Sequence, residues 1–246
     1  MLPTPWSRRL PAIVGLCVAV FLPMSSVLAL LVPSLSSAIS RSVGISWHSA
    51  SAISDAFGLL FDAGLLLLLV RYWERMKFES VGLKMPSFFD VASALLFSLA
   101  NFYLIALRYR LKSALPTGLG LYSQGSWLSL PHPVWLTLLI ADVFEEELGA
   151  RAYVIERLDS WSGSAWLAGG VSWFASLLMH IRSYGIVGGL RRAPMMLLLT
   201  ALYLWRRNLP ICMLAHFLMD EEMALLLRLS PTDLSRVLRT LGFPPR

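Results

Sequence analysis

The chain has 246 residues, of which 57% are hydrophobic and only 15% charged, with a formal net charge of +6 and a mean hydropathy of +0.65. Soluble domains carry about 45–50% apolar residues, so this composition excludes an ordinary soluble domain and points to an all-α polytopic membrane protein. The basic residues sit in short stretches beside apolar runs, which argues for anionic lipid and against a nucleic-acid partner.

A helix needs about 20 apolar residues to cross the hydrocarbon core. Runs of this kind recur at 10–32, 50–70, 88–107, 134–154, 165–181, 194–205 and 209–227, predicting a bundle of about seven transmembrane helices. The first follows Arg8-Arg9 and passes through Val27-Leu28-Ala29, which imitates a signal peptide, but its length favours a retained helix. Asp55 and Asp62 share one face of the second run, where they can meet basic groups or line water; the flanking signals of an aspartyl intramembrane protease are missing. Arg71-Tyr-Trp-Glu-Arg-Met-Lys-Phe-Glu-Ser-Val suits either a helix lying in the interface or a solvated connector. Arg8, Arg9, Arg71, Arg75, Lys77 and Lys84 favour a cytoplasmic N-terminus, with Arg108, Arg110 and Lys112 opposing it.

Loops are expected at Pro33-Ser-Leu-Ser-Ser, Lys84-Met-Pro-Ser, residues 115–126 and Ser230-Pro-Thr-Asp. They divide the chain into N-terminal helices and connectors (1–130), a core carrying the polar clusters (131–228) and a C-terminal tail (229–246). The sixth helix is short unless it begins near Ile186, which would place Arg191 and Arg192 inside it or at its interfacial end. Gly169-Gly170 and Gly188-Gly189 read as close-packing or kink positions, and Cys17 and Cys212 as small hydrophobes in apolar runs.

The chemistry concentrates after Pro131. Glu145, Glu146 and Glu147 continue an apolar helix, and a charge near the middle of a membrane helix costs roughly 2.5–3.5 kcal/mol, so the row must be paired, protonated or facing water inside a bundle. Ending the helix at a solvated interface is the plainer alternative. Glu147 and Arg151 are spaced i,i+4 and can form an internal ion pair, whereas Glu146 points about 100° away along an ideal helix. That leaves Glu146 as the general base, with Glu147 and Arg151 as supports and Glu145 without a role. His180 closes one apolar run and His216 lies inside another, with Asp220 one turn on, placed to fix the imidazole tautomer. His48 and His132 fall in connectors and carry no assignment.

Glu146-Glu147-Leu-Gly-Ala-Arg151, His180 and His216-Phe-Leu-Met-Asp220 together resemble the ordered motifs Glu-Glu-x-x-x-Arg, Phe-x-x-x-His and His-x-x-x-Asn/Asp of the CAAX protease and bacteriocin-processing (CPBP, or Abi) membrane family. The resemblance runs from about Pro131 to Arg228. It implies a glutamate-dependent intramembrane endopeptidase in which Glu146 activates water with help from His180, while His216 and the residue at 220 stabilise the oxyanion. It also implies a peptide or protein substrate at the bilayer and a bacterial cytoplasmic membrane as the location. Ser176 stands where the motif has phenylalanine, with Phe174 displaced by two; Ala152 stands where glycine often follows the arginine. Asp220 stands where asparagine is common, and an ionised aspartate has no donor for an oxyanion, so its expected task is to orient His216.

No cofactor is implied by any glycine-rich phosphate loop. A variant makes Glu146, His180 and His216 ligands to zinc, although no His-Glu-x-x-His pair supports it. Two other classes use the same residues: a non-catalytic immunity or scaffold protein, and a transporter with buried acids and histidines as a proton relay. A serine mechanism at Ser162-Gly163-Ser164 has only turn chemistry behind it. With no extramembrane domain evident, specificity is expected from the cavity and the loop at 112–130.

Overall fold

A computed structural model of the chain describes residues 6–25, 32–111 and 129–228, with residues 233, 236, 239 and 240 of the tail. Most of the 112–130 loop and of the 229–246 tail therefore lies outside the described residues. In chain order the helices are α1 (Trp6–Ser25), α2 (Val32–Val43), α3 (Trp47–Leu68), α4 (Phe88–Leu111), α5 (His132–Glu146), α6 (Val154–Ser162), α7 (Ala165–Arg206) and α8 (Leu209–Arg228), and no strand occurs among the described residues. Three segments, Trp47–Trp73, Phe88–Leu107 and Ala165–Arg206, are long and apolar enough to cross a membrane. The protein is an all-α integral membrane bundle.

Of the first helix expected at 10–32, residues 10–25 lie in α1 and residues 26–31 lie outside the described residues. α2 begins at Val32, so Pro33, expected in a loop, sits in a first helical turn, where its missing N–H would have had no partner anyway. The buried Ser36 hydroxyl of α2 donates to the Val32 carbonyl at 2.6 Å and lies 3.1 Å from Ser54 Oγ, tying α2 to α3.

The segment after α3 is not an interfacial helix. α3 runs on through a π turn, Leu69–Trp73, and breaks at Arg75, which takes a positive φ of 56°, before a 3-10 turn at Phe78–Val81. Glu74, within that segment, is drawn inward by Arg157 of α6. Its carboxylate accepts from Arg157 Nε at 3.0 Å, from Arg157 Nη2 at 2.5 Å and from the Tyr153 hydroxyl at 2.6 Å, and Arg157 also donates to the Ser80 carbonyl. A fully paired carboxylate can be buried; an unpaired one cannot, so the connector bends toward its partner.

The 42 residues of α7 contain the fifth and sixth predicted helices, folded against each other at Gly185, where φ is 72° and ψ 169°. That conformation is essentially closed to residues with a Cβ. The return is shown by the Trp173 indole, which donates to the Ala193 carbonyl at 3.0 Å, although 20 residues of unbroken helix would separate them by about 30 Å. At Gly189 a Cβ would stand 2.8 Å from the Ile181 backbone nitrogen, so glycine is required for the two arms, 165–184 and 186–206, to meet. The second arm begins at Ile186, which places Arg191 and Arg192 inside it.

α3 lies along α5, α4 along α8, and α6 against α7. Their shared core is built from Leu148, Tyr153, Ile155, Leu199, Leu202, Tyr203, Ile211 and Met219, all buried.

Candidate active site

The glutamate row stands at the end of α5, where the backbone changes from α to π over Glu147–Tyr153. This departs from the continuous helix expected there, and it alters the facing of the side chains. The i→i+5 pattern brings residues five apart onto one side, so Arg151 reaches both neighbouring carboxylates. Its Nη1 lies 3.4 Å from Glu147 Oε1 and 3.8 Å from Glu146 Oε2. Arg151 and Glu147 are fully buried, whereas the Glu146 side chain keeps 16% of its surface open. The row is thus not a solvated helix end. Glu145 is buried too, within electrostatic range of Asp62 on α3.

The π segment is held against α7 by the Ser172 hydroxyl, which donates to the Ala150 carbonyl at 2.6 Å. One turn further along, Ser176 Oγ donates to the Ser172 carbonyl, and the Ser176 carbonyl accepts from His180 Nδ1 at 2.9 Å. A carbonyl only accepts, so Nδ1 carries the hydrogen and Nε2 is the free face of the neutral ring. That nitrogen lies 3.9 Å from Glu146 Oε1, too far for a direct hydrogen bond. Phe174, two residues away from its expected place, is exposed on the outside of the bundle and builds no wall near His180. The position is filled instead by Ser176 and by Tyr184, whose ring centroid stands 5.7 Å from that of His180.

His216, buried on α8, points its Nδ1 at Glu147 Oε1 at 2.8 Å. The tautomer-fixing partner expected in Asp220 is therefore Glu147. Asp220 Oδ2 is 3.6 Å from His216 Nε2, beyond hydrogen-bond reach, and its other oxygen lies 3.6 Å from Arg192 Nη1. The reason is geometric: one helical turn sets Asp220 beside the outer edge of the ring, while the π segment brings Glu147 directly under its inner nitrogen. The bundle thus gathers the six sequence-selected residues into one connected cluster: Glu147 joins Arg151 to His216, Glu146 joins Arg151 to His180, and Asp220 caps the far side of His216.

Arg192 is the cluster member that the motifs did not select. Its position inside an apolar run was the signal, since a charge there needs a partner. Asp142, one turn before Glu146 on α5, lies in electrostatic range of Glu146, His216, Asp220 and Arg192. Among the described residues, no three His, Cys, Asp or Glu side chains are gathered closely enough to hold a metal ion. His180 Nδ1 and His216 Nδ1 are both committed, so zinc would have to draw together the two Nε2 atoms and Glu146.

Glu146 Oε2, Glu147 Oε2 and all three guanidinium nitrogens of Arg151 are buried without a hydrogen-bond partner among the described residues. Buried polar groups are ordinarily satisfied, so donors and acceptors concentrated at one point mark a place built to receive polar atoms. Residues 126–220, less than half of the chain, match the family model described as type II CAAX prenyl endopeptidase, Rce1-like. No curated protein and no solved structure matches the chain.

Proposed function

We propose that the chain, which belongs through residues 126–220 to the Rce1-like family of type II CAAX prenyl endopeptidases, cleaves its substrate with a water activated by Glu146. The family is one of membrane proteases; what is proposed here is the mechanism, the roles of the side chains and the substrate. The observation that carries it is the pair of facing acceptors, Glu146 Oε1 and His180 Nε2, held 3.9 Å apart on the more open side of the cluster. A water hydrogen-bonded to both at about 2.8 Å fits between them, and neither acceptor can satisfy the other.

In this reading the water oxygen attacks the peptide carbonyl while its proton passes to Glu146, giving a tetrahedral oxyanion. His180 orients the water through Nε2. His216, held by Glu147 through Nδ1, turns Nε2 toward the developing charge and donates from the doubly protonated ring. Collapse breaks the C–N bond, and Glu146 returns the proton to the leaving amine. Arg151 offsets the two adjacent carboxylates and keeps Glu146 in place. No metal enters the reaction, and the substrate is a membrane-associated protein or peptide reached from the bilayer. The location is a bacterial cytoplasmic membrane.

The test uses purified protein in lipid nanodiscs with a prenylated CAAX peptide and its unprenylated twin, products being read by mass spectrometry. General base catalysis contributes typically 10²–10⁴-fold, so Glu146→Gln should lose that much turnover while keeping the wild-type melting curve. Wild-type turnover should survive chelation, with no stoichiometric zinc in the protein. A folded Glu146→Gln that cleaves at the wild-type rate would sink the mechanism. If folded Glu146→Gln and His180→Ala proteins both keep the full biological effect, the chain is an immunity or scaffold protein instead.

A further inference from the structure

We infer that Arg192 is a positioning residue of the same site, a second cation that neutralises Asp220 and so keeps the outer nitrogen of His216 fit to face an oxyanion. The inference rests on the hydrolytic reading above and adds to it the residue that the helix break supplies.

The geometry begins at Gly185. In an unbroken helix Tyr184 and Arg192 would be about 12 Å apart along the axis. After the return, the Arg192 guanidinium carbon lies 4.9 Å from the Tyr184 ring centroid, and Nη1 lies 3.6 Å from Asp220 Oδ1. The same tyrosine ring faces His180, so Arg192 stands on the rim that joins both histidines. Arg151 is sealed at 0% exposure beneath the glutamates, whereas Arg192 and Asp220 keep 16% and 12% of their side-chain surface open. The two arginines therefore serve opposite sides of the cluster.

Arg192 is needed because of Asp220. Its carboxylate lies 3.6 Å from the His216 nitrogen assigned to the oxyanion. An uncompensated negative charge at that distance would oppose a second one forming beside it, and the low dielectric of a bundle interior makes the repulsion larger than in water. A guanidinium on the outer oxygen of Asp220 reverses this: the carboxylate becomes half of an ion pair, and its inner oxygen remains beside the ring. Stacking on Tyr184 fixes the guanidinium plane, which a flexible lysine would achieve less well.

The experiment is a double-mutant cycle in kcat and KM with the CAAX peptide, using wild type, Arg192→Gln, Asp220→Asn and the double variant, each checked by melting curve. Arg192→Gln should lower kcat at least tenfold with KM changed less than about threefold, and in the Asp220→Asn background the same substitution should lower kcat less than about threefold. Equal losses in both backgrounds would show that Arg192 acts independently of Asp220 and overturn the inference, as would an Arg192→Gln protein of wild-type kcat. If Asp220→Asn turns over too slowly to time, Arg192→Lys decides: activity within tenfold of wild type beside a poor Arg192→Gln supports the charge role, and equal activity of the two variants refutes it. Glu146→Gln is run alongside; if it cleaves normally, the underlying hydrolytic reading has failed, which is a separate result.

Discussion

Substituting Gly185 by alanine isolates the backbone device that assembles the site. A Cβ built at Gly185 meets nothing within 4 Å, so no clash contributes, and the entire effect comes from φ 72° and ψ 169°. Holding a residue with a Cβ in such a region costs roughly 1–3 kcal/mol. The control is Gly170→Ala, also with open space around the new methyl but in regular helix, where alanine gains about 0.5–1 kcal/mol over glycine. Thermal unfolding in one lipid composition should thus separate the two variants by roughly 1.5–4 kcal/mol, with Gly185→Ala the less stable. If the chain escapes the strain by straightening at 185, the arm carrying Arg192 moves away from Tyr184 and Asp220, and peptide cleavage falls as well. A Gly185→Ala protein as stable and as active as Gly170→Ala would refute the claim that the break is glycine-dependent and that the site needs it.

Three further substitutions test the supports of the cluster. Gly15→Ala would bring a Cβ to 1.8 Å from Tyr153 Oη, whose ring is tethered by Glu74, so α1 must shift; overpacking of this kind costs typically 1–3 kcal/mol, read as a lowered melting point. Arg157→Met leaves Glu74 buried without its cation and should destabilise by about 3–5 kcal/mol, with much of the loss recovered in the Glu74→Gln/Arg157→Met double variant. Glu147→Gln removes the nearer carboxylate of the buried Arg151 and should lower the melting point. It keeps an acceptor for His216 Nδ1, and in the folded molecules the exchange of a charged hydrogen bond for a neutral one, about 1 kcal/mol, should lower cleavage roughly fivefold, far less than for Glu146→Gln. Equal losses for the two glutamine variants would mean that base and support cannot be told apart.

How far the sequence carried these conclusions depended on the range over which each pattern acts. Helix content, two apolar helices at 165–181 and 194–205 and six residues of the cluster were legible because apolar length, local spacing and burial cost act within a few turns. The arms in fact extend to the break at Gly185, and Arg192 was not among the residues selected. Glu74 was not legible: its partner Arg157 is 83 residues away, and a charged connector looks the same whether its glutamate faces water or a buried guanidinium. The loop expected at Pro33-Ser-Leu-Ser-Ser was misjudged for a related reason, since proline marks a helix start as readily as a loop.

The exchange of roles between Glu147 and Asp220 has a different origin. Counting residues in steps of 3.6 assumes that the phase of a helix persists, and at both decisive places it does not. The π turn at Glu147–Tyr153 shifts the phase by one residue, which delivers Glu147 to His216 and lets Arg151 reach Glu146. The reversal at Gly185 discards the phase altogether and brings Arg192 beside residues that helical spacing would place more than a turn away. Spacing rules therefore identified which residues were costly to bury but mis-assigned some of their partners. A charge that no local partner explains, such as Arg192 in an apolar run, is the sequence-level sign that the helix carrying it is interrupted nearby.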